Sequence, residues 1–240
     1  MARVRLPRTR RGIFASITTA IVVIAVGGGA FIYFVLFPTS APAPFKLTGP
    51  KHTVAVGSSG SLTGQWKITT GSRAGYRVRE KLAFLPALDD AVGRTSQITG
   101  GATFATSGAS VAVTAASFVI NVYSLKSNEA MRDEHIHTIG IQSATYPRAS
   151  FKLTKPVTLP ASALSGGVVD LKATGDVTMH GTTKLLTIPV EMTLSSSKIQ
   201  AVGSYTFPWG LFNMQAPSVG GFVNVEGTAT LEFKLELARS

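Results

Sequence analysis

Residues 168–194 alternate apolar and polar side chains along two successive runs. A period of two is typical of β-strands that have one apolar and one polar face. Between the runs lies the segment HGTT at residues 180–183, where Gly181 can adopt the positive φ that a tight turn requires. At about 3.3 Å per residue, the first strand alone would be roughly 40 Å long, which favours a strongly curved sheet. The sequence therefore predicts a long β-hairpin that wraps around an apolar interior.

The apolar face of this hairpin contains small residues near the middle of its first strand. Ala173 and Gly175 occupy positions where a filled core would favour larger side chains. We therefore expect room for a chain-like ligand beside them. The apolar row consists of Val169, Leu171, Ala173, Val177 and Met179, and it faces Leu186, Ile188, Val190, Met192 and Leu194.

Strand-like runs separated by Gly, Ser, Pro and Asp fill most of the chain after residue 60. Each long run has one apolar and one polar face, which indicates an antiparallel sheet that closes into a barrel or stacks as a sandwich. Residues 127–137 break the alternation and predict a short helix, capped by Ser127 or Asn128, that covers one end. The strand-like runs are residues 65–70, 75–85, 95–106, 110–122, 148–155, 168–179, 184–194, 198–206 and 222–237.

Composition excludes several classes of protein. The chain has no cysteine, so it contains neither disulfides nor cysteine metal sites. Its net charge of +11 includes five arginines within residues 1–11, and no basic cluster interleaved with aromatic residues follows them. Nucleic-acid binding is therefore not expected.

Residues 13–37 contain no charged side chain, and this length is sufficient for a transmembrane helix. Because the arginines precede this segment, the positive-inside rule places the N-terminus in the cytoplasm and the remainder outside. A cleaved signal peptide is the alternative, although Ala41 and Ala43 are each followed by proline. The predicted organisation is a basic cytoplasmic tail at residues 1–12, a signal anchor at 13–37, an extracytoplasmic linker at 38–60 and a β-barrel domain at 61–240.

Glu80 is the acidic residue that conflicts most with its surroundings. It shares a strand face with Tyr76 and Phe84, and a carboxylate that points inward must be paired or protonated. Arg94 is the expected partner. The pair would be either a buried structural ion pair or a polar anchor for the head group of a ligand.

No catalytic or metal site emerges from the remaining polar residues. His135 and His137 would lie roughly 200° apart on a helix, so they cannot share a metal without other ligands. Arg132 and Asp133 are either a structural tie or a ligand-contacting pair. The chain has no Gly-x-Ser-x-Gly elbow and no glycine-rich phosphate loop. We predict neither an enzyme nor a metal site.

An eight-stranded barrel is either filled by its own side chains or able to hold one small ligand. If the barrel is hollow, aromatic and aliphatic residues of its inner face become the cavity wall. The residues expected to line it are Tyr76, Phe84, Phe118, Phe151, Leu171, Ala173, Met179, Ile188, Met192 and Phe233.

Three segments resemble, in order, the landmarks of the YceI-like family. They are MRDEHIHT at residues 131–138, TYPRASF at 145–151 and ATGDVTMHGTTKLLTIPV at 173–190. The blocks GQWKI at 64–68, AGYRVRE at 74–80 and AVGRT at 91–95 are similar to its actinobacterial branch. The resemblance covers roughly residues 60–237. The chain departs from the family pattern at FPWGLFNM, residues 207–214, where the family more often carries an Asp-aromatic-Gly-Ile run.

The resemblance implies an all-β, lipocalin-like, extended eight-stranded antiparallel barrel, here with one short helix and a preceding transmembrane helix. It also implies that the lumen binds a long isoprenoid or another amphiphilic or fatty lipid, and that the protein is periplasmic, secreted or membrane-anchored. We therefore expect a single-pass protein of the cell membrane whose extracytoplasmic barrel sequesters or transports a lipid, with no cofactor besides that ligand. The alternatives are a structural or interaction module of the cell envelope and a lipid-modifying enzyme.

Overall fold

A computed structural model describes residues 41–48, 62–83, 87–107, 110–165, 167–221 and 223–240. Within these ranges no helix is long and apolar enough to cross a membrane, and the predicted transmembrane segment, residues 13–37, lies outside them. The strands are β1 (Gly64–Ile68), β2 (Arg73–Leu82), β3 (Leu88–Thr95), β4 (Ile98–Ser107), β5 (Ser110–Asn121), β6 (Arg148–Leu153), β7 (Val157–Thr158), β8 (Val169–Met179), β9 (Thr182–Leu194), β10 (Lys198–Pro208), β11 (Ser218–Val219) and β12 (Val223–Arg239). The helix α1 spans Ala130–His135, and 3-10 turns lie at Val122–Ser124, Ala161–Ser165 and Trp209–Phe212.

The long hairpin predicted from the alternating pattern is confirmed by β8 and β9. The two strands pair antiparallel along the whole length of β8, and Met179 lies opposite Thr182 at the tip. The turn residues His180 and Gly181 have φ values of 50° and 69°. Two successive residues with positive φ are typical of the type I′ turn, whose twist matches that of the flanking strands.

The strands form a closed, eight-stranded antiparallel barrel, as the family resemblance implies. β1 and β2 follow each other along one side of β12, and β10 pairs with its other side. β4 pairs with β1 and β3 pairs with β2. Therefore β1 and β2 together occupy one strand position of the barrel, and β3 and β4 together occupy the next. The order then continues through β5, β6, β8 and β9 to β10.

The sequence analysis missed β3. Aspartate and glycine are depleted in strands, and this strand contains Asp89, Asp90 and Gly93. Its neighbour β2 explains two of these exceptions. Asp90 accepts a hydrogen bond of 2.8 Å from Arg77, and Gly93 leaves space for the ring of Tyr76. Tertiary contacts therefore override the weak local propensity.

α1 is shorter than the predicted helix and lacks the predicted cap. The residue at its N-cap position is Glu129, which makes no side-chain capping bond. Ser127 lies before the helix, where its backbone N–H donates to the Asp133 carboxylate at 2.7 Å and its hydroxyl accepts from the Glu129 N–H at 3.1 Å. The capping prediction was wrong because Asp133 fixes Ser127 in a turn that precedes the helix.

Residues 41–48, hereafter the strap, lie along the outside of the barrel without regular secondary structure. Arg77 on β2 donates a hydrogen bond of 2.6 Å from Nη2 to the carbonyl of Pro42. Arg94 on β3 does the same for the carbonyl of Ala43, also at 2.6 Å. The guanidinium groups thus satisfy backbone acceptors of the strap and fix its course across β2 and β3.

A buried carboxylate holds these two arginines in place. The side chain of Glu232, on the outer face of β12, is 4% exposed and lies 2.6 Å from Arg94 Nη2 and 3.4 Å from Arg77 Nε. The ring of Phe45 covers the Arg94 guanidinium at 3.9 Å from its centroid. Since the strap shields this cluster from water, its charges interact more strongly than exposed ones would.

A second carboxylate under the strap is paired in a similar way. Glu236 forms ion pairs with Lys198 and Lys234, and Gln200 Nε2 donates to it at 3.2 Å. The hydroxyl of Thr48 accepts hydrogen bonds from Lys234 and Gln200. Burial alone would raise the pKa of Glu236, but the hydrogen bonds and charges of the two lysines outweigh burial and hold that pKa below its usual value.

The Glu232 cluster predicts a stability cost. Changing Glu232→Gln leaves Arg94 largely buried without a counter-charge, whereas Arg77 keeps Asp90 as its partner. The change should lower the free energy of unfolding by about 3 kcal/mol in urea titrations. The matched control is Arg79→Gln, because Arg79 is 57% exposed and 3.9 Å from Asp90. That change should cost less than about 0.5 kcal/mol. Equal losses in the two variants would contradict the role given to Glu232.

The lowered pKa of Glu236 predicts a stability difference that depends on pH. A carboxylate whose folded pKa is depressed stabilises the protein above its unfolded pKa of about 4.3, and this contribution is lost as pH falls through the folded value. The free energy of unfolding of the wild type should therefore exceed that of Glu236→Gln by a constant amount between about pH 5 and 7. Below about pH 4 the difference should shrink. Thermal melts across this range measure it, and a difference that persists unchanged to about pH 2 would show that the ionised carboxylate is not the source.

Candidate functional site

The barrel encloses a cavity of about 200 Å³ with an almost entirely apolar wall. Strand alternation produces this wall, because every second side chain of β8, β9, β10 and β12 points inward. Phe84, the tenth residue of the predicted lining, lies outside the described residues. The other nine residues of that predicted lining all line the cavity: Tyr76, Phe118, Phe151, Leu171, Ala173, Met179, Ile188, Met192 and Phe233. Whether these residues contact a ligand stays a prediction.

The structure shows a hollow barrel, a question that the sequence left open. Phe118, Phe151, Leu171, Ala173 and Phe233 point inward and are nevertheless only half-buried. Native cores rarely contain voids larger than a water molecule, which occupies about 30 Å³ in the liquid. A cavity of about 200 Å³ is therefore not a packing defect.

Aromatic rings of the wall occupy the space above glycines on neighbouring strands. A Cβ at Gly175 would lie 2.6 Å from the ring of Phe151, and a Cβ at Gly203 would lie 2.5 Å from the ring of Phe233. Because the rings fit into these gaps, they cover the wall without filling the lumen. The expectation that Gly175 leaves room for a ligand was therefore wrong: Phe151 takes that room, whereas Ala173 does line the cavity.

Glu80 and Arg94 do not form the predicted pair. The carboxylate of Glu80 is buried and accepts a hydrogen bond of 2.6 Å from Arg132 Nη2 on α1. Arg94 lies opposite Gly75 in the β2–β3 register, which places it on the outer face, where it pairs with Glu232. The prediction was wrong because it assigned Arg94 to the inner face. Of the two possibilities for Arg132, the structure shows the structural tie, which joins α1 to β2.

Tyr76 lines the cavity, and its hydroxyl is buried close to Arg132 and Asp133 of α1. Among the side chains in the described ranges, its hydroxyl is the buried polar atom with no hydrogen-bond partner. Burial is the main cause that raises the pKa of Tyr76 well above its ordinary value; Arg132 opposes the rise, while Asp133 and Glu80 add to it. The hydroxyl therefore stays protonated and keeps a free hydrogen to donate. The sequence analysis placed Tyr76 in the wall but missed this property, which depends on tertiary burial.

The segment that departs from the family pattern helps to close the barrel. The 3-10 turn Trp209–Phe212 buries Phe212 completely. Trp209 Nε1 donates a hydrogen bond of 2.9 Å to the carbonyl of Glu226 at the start of β12. Trp209 and Met214 line the cavity. This segment therefore still contributes apolar surface to the site.

The hairpin tip is joined to two loops beside this turn. His180 lies with Nε2 3.0 Å from Gln142 Oε1 and Nδ1 3.2 Å from the carbonyl of Phe212. Gln142, His180 and Asn213 all have positive φ. Across the described part of the chain, no group of three or more His, Cys, Asp or Glu residues could hold a metal ion.

Comparison with known proteins places this geometry in a family. The family model described as the YceI-like domain matches residues 66–237. A UPF0312 protein of Vibrio parahaemolyticus is 39% identical over 93 residues, which cover 38% of this chain and 41% of the relative. A UPF0312 protein of Vibrio cholerae is 34% identical over 119 residues, which cover 48% of this chain and 50% of the relative. The chain thus matches half or less of the length of these curated relatives.

Solved structures support the same fold. A polyisoprenoid binding domain from Saccharophagus degradans, implicated in plant cell wall breakdown, aligns with a TM-score of 0.54 at 15% identity, over 74% of this chain and 99% of that one. BcnA from Burkholderia cenocepacia aligns with a TM-score of 0.52 at 19% identity, over 70% of this chain and 98% of that one. At such identities the likeness concerns the fold alone. Because the family model matches most of the barrel, this chain belongs to the YceI-like family.

Proposed function

We propose that the barrel binds the apolar chain of an isoprenoid or another amphiphilic lipid within its lumen and so sequesters or transports it. The observation that carries this proposal is the hollow cavity, whose wall is apolar and whose inward side chains are only half-buried. Open apolar surface inside a folded domain is costly unless something other than water occupies it. A lipid chain removes this surface from water.

The hydrophobic effect supplies the affinity. Each Å² of apolar surface that leaves water contributes roughly 25 cal/mol, and the chain of the ligand needs no specific polar contact. Preformed pockets with apolar walls and few polar groups are typical of small-molecule sites. The barrel fits this description, since its wall is almost entirely apolar.

The comparison with known structures favours an isoprenoid among the possible lipids. The Saccharophagus domain is described as polyisoprenoid binding and shares the barrel fold. A linear isoprenoid carries a long apolar chain, which suits an apolar lumen. We further propose that the protein binds its ligand without chemically changing it.

The place of action forms part of the same proposal. Residues 13–37 would act as an uncleaved signal anchor, with residues 1–12 in the cytoplasm and the barrel outside the membrane, as in a membrane-anchored actinobacterial member of the family. The length and lack of charge of residues 13–37, together with the arginines before them, support this topology. The anchor would keep the barrel close to a supply of lipid.

Blocking the lumen tests the binding proposal. In the wild type, a hundredfold excess of a polyprenol over its Kd should raise Tm by roughly 5–10 °C. In Ala173→Trp the indole should occupy the cavity, abolish this shift and cost less than about 1 kcal/mol of stability, because an empty lumen accepts the ring. Differential scanning fluorimetry with and without lipid measures both effects.

Lys172→Trp is the matched control, because Lys172 is the exposed neighbour of Ala173 on the same strand. It should keep the full shift in Tm. An Ala173→Trp variant that unfolds, together with a wild type indifferent to every lipid tried, would instead indicate a filled structural or interaction module. Chemical conversion of the bound lipid, detected by mass spectrometry of the recovered ligand, would indicate an enzyme.

Protease accessibility tests the topology. Protease added to intact cells or spheroplasts should degrade the barrel domain and leave an N-terminal epitope tag undigested, because the arginines before residue 13 hold the tail in the cytoplasm. A tag that is digested while the barrel is protected would reverse the assigned orientation.

A further inference from the structure

The strands β9 and β10 separate from each other part of the way along the barrel wall. They pair at five positions, from Ile199 opposite Leu194 to Gly203 opposite Val190. Among the described strands, residues 182–189 of β9 pair only with β8, and residues 204–208 of β10 pair only with β12. The two strands therefore border a gap in the ladder, hereafter the seam.

Pro189 explains where the ladder stops. The two-residue hairpin makes Met179 and Thr182 a hydrogen-bonded pair, so the odd-numbered residues of β9 point their backbone groups towards β10. Pro189 is one of these residues, and it has no N–H to donate across the gap. Its carbonyl does point towards β10, since a Cβ on Gly203 would lie 2.7 Å from the carbonyl oxygen. A proline at this position ends the pairing, so the sequence itself encodes the seam.

Side chains bridge the seam in place of a backbone ladder. β10 ends in a 3-10 turn that packs against β9. The rings of Phe207 and Phe212 meet edge to face, with their centroids 5.2 Å apart. Asn213 Nδ2 donates to Thr182 Oγ1 at 3.0 Å, and the carbonyl of Phe212 lies 3.2 Å from His180 Nδ1. These contacts tie the turn to the start of β9 and to the hairpin tip.

Such a bridge opens more easily than a ladder. Moving the turn away from β9 breaks two hydrogen bonds and one ring contact, whereas a paired strand loses a whole row of backbone hydrogen bonds. β9 and β10 each remain paired on their other side, to β8 and β12. Phe207 lines the cavity, so a displacement of its ring connects the lumen with the outside.

Apolar side chains surround the seam on the outside of the barrel. Leu185 belongs to the outward-facing residues of β9 and is 60% exposed. Pro189 and Pro208 are exposed on the two strands that border the seam, and Leu211 in the turn is half-buried. A hydrocarbon chain can therefore contact apolar surface here before it reaches the lumen.

We propose that the ligand chain enters and leaves the lumen sideways, through the seam between β9 and β10, with the turn at residues 209–213 as the gate. The inference rests on the proposed function and adds the route of entry to it. Phe207 and Phe212 close the seam in the structure, and movement of the turn away from β9 opens it. The rest of the ladder stays paired, so the barrel keeps its fold while a chain passes.

A removable cross-link across the gate tests this inference. The chain has no cysteine, so the double variant Thr182→Cys/Asn213→Cys carries just two thiols, at positions whose native side chains share a hydrogen bond. A short bis-methanethiosulfonate joins the thiols, and dithiothreitol releases them. Stopped-flow fluorescence of retinol, an isoprenoid alcohol whose emission rises in apolar surroundings, gives the rates of uptake and release by the full-length protein. The link should slow both rates at least about tenfold and change Kd less than about twofold, because a gate alters the path and not the bound state.

Thr178→Cys/Thr183→Cys is the matched control. The hydroxyls of Thr178 and Thr183 lie 2.8 Å apart on the outer face of the β8–β9 hairpin, so the same reagent joins two strands that are already paired. This link should leave both rates within about twofold of those of the wild type, and dithiothreitol should restore the rates of the gate variant. A second variant, Phe212→Leu, removes part of a ring that does not line the cavity. It should speed uptake and release about threefold without any link, because the gate is then less tightly packed.

The possible outcomes separate this inference from the proposed function. Rates that the gate link leaves unchanged overturn the lateral route and assign entry to an end of the barrel, while lipid binding stands. Equal slowing by the control link also overturns the lateral route, because both links would then act by stiffening the barrel. A wild type that takes up neither retinol nor a polyprenol overturns the proposed function, and the lateral route with it.

Discussion

Closure of the sheet around β12 is the constraint on which the rest of the structure depends. An open sheet would leave a row of unpaired N–H and C=O groups along each edge. β12 is 17 residues long and pairs with β10 on one side and with β1 and β2 on the other, so it leaves neither edge free. The lumen exists because the sheet closes on itself instead of packing against a second sheet.

Once the barrel is closed, the size of the inward side chains decides whether it is filled. Alanines and glycines at inward positions reduce the volume that side chains occupy, and Phe151 and Phe233 lie over Gly175 and Gly203 instead of projecting to the axis. The aromatic residues thus give a continuous apolar wall and leave about 200 Å³ open. The same arrangement recurs at Tyr76, whose ring lies over Gly93.

The buried carboxylates of the barrel wall are each paired with cations on their own face of the wall. On the outer face, the carboxylates of Glu232 and Glu236 are buried under the strap and are matched by arginines and lysines. On the inner face, Glu80 is neutralised by Arg132 of α1. Buried charges require such partners, because their desolvation cost exceeds what unpaired groups can recover. The lumen is therefore left to apolar surface, which suits a lipid chain.

The sequence by itself determined most of the long strands, the β8–β9 hairpin and nine of the ten predicted wall residues, because period-two alternation is a local property that closure preserves. The alternation left a barrel or a sandwich open, and the family resemblance pointed to the barrel. The alternation also missed β3, in which Asp90 and Gly93 are accommodated by contacts with β2. Only the tertiary structure decided that the barrel is hollow, that Arg132 and not Arg94 pairs with Glu80, and that Tyr76 lacks a partner. These properties depend on which distant strands become neighbours and on which face each side chain lies. Register and burial fix them, and neither can be read from a single strand.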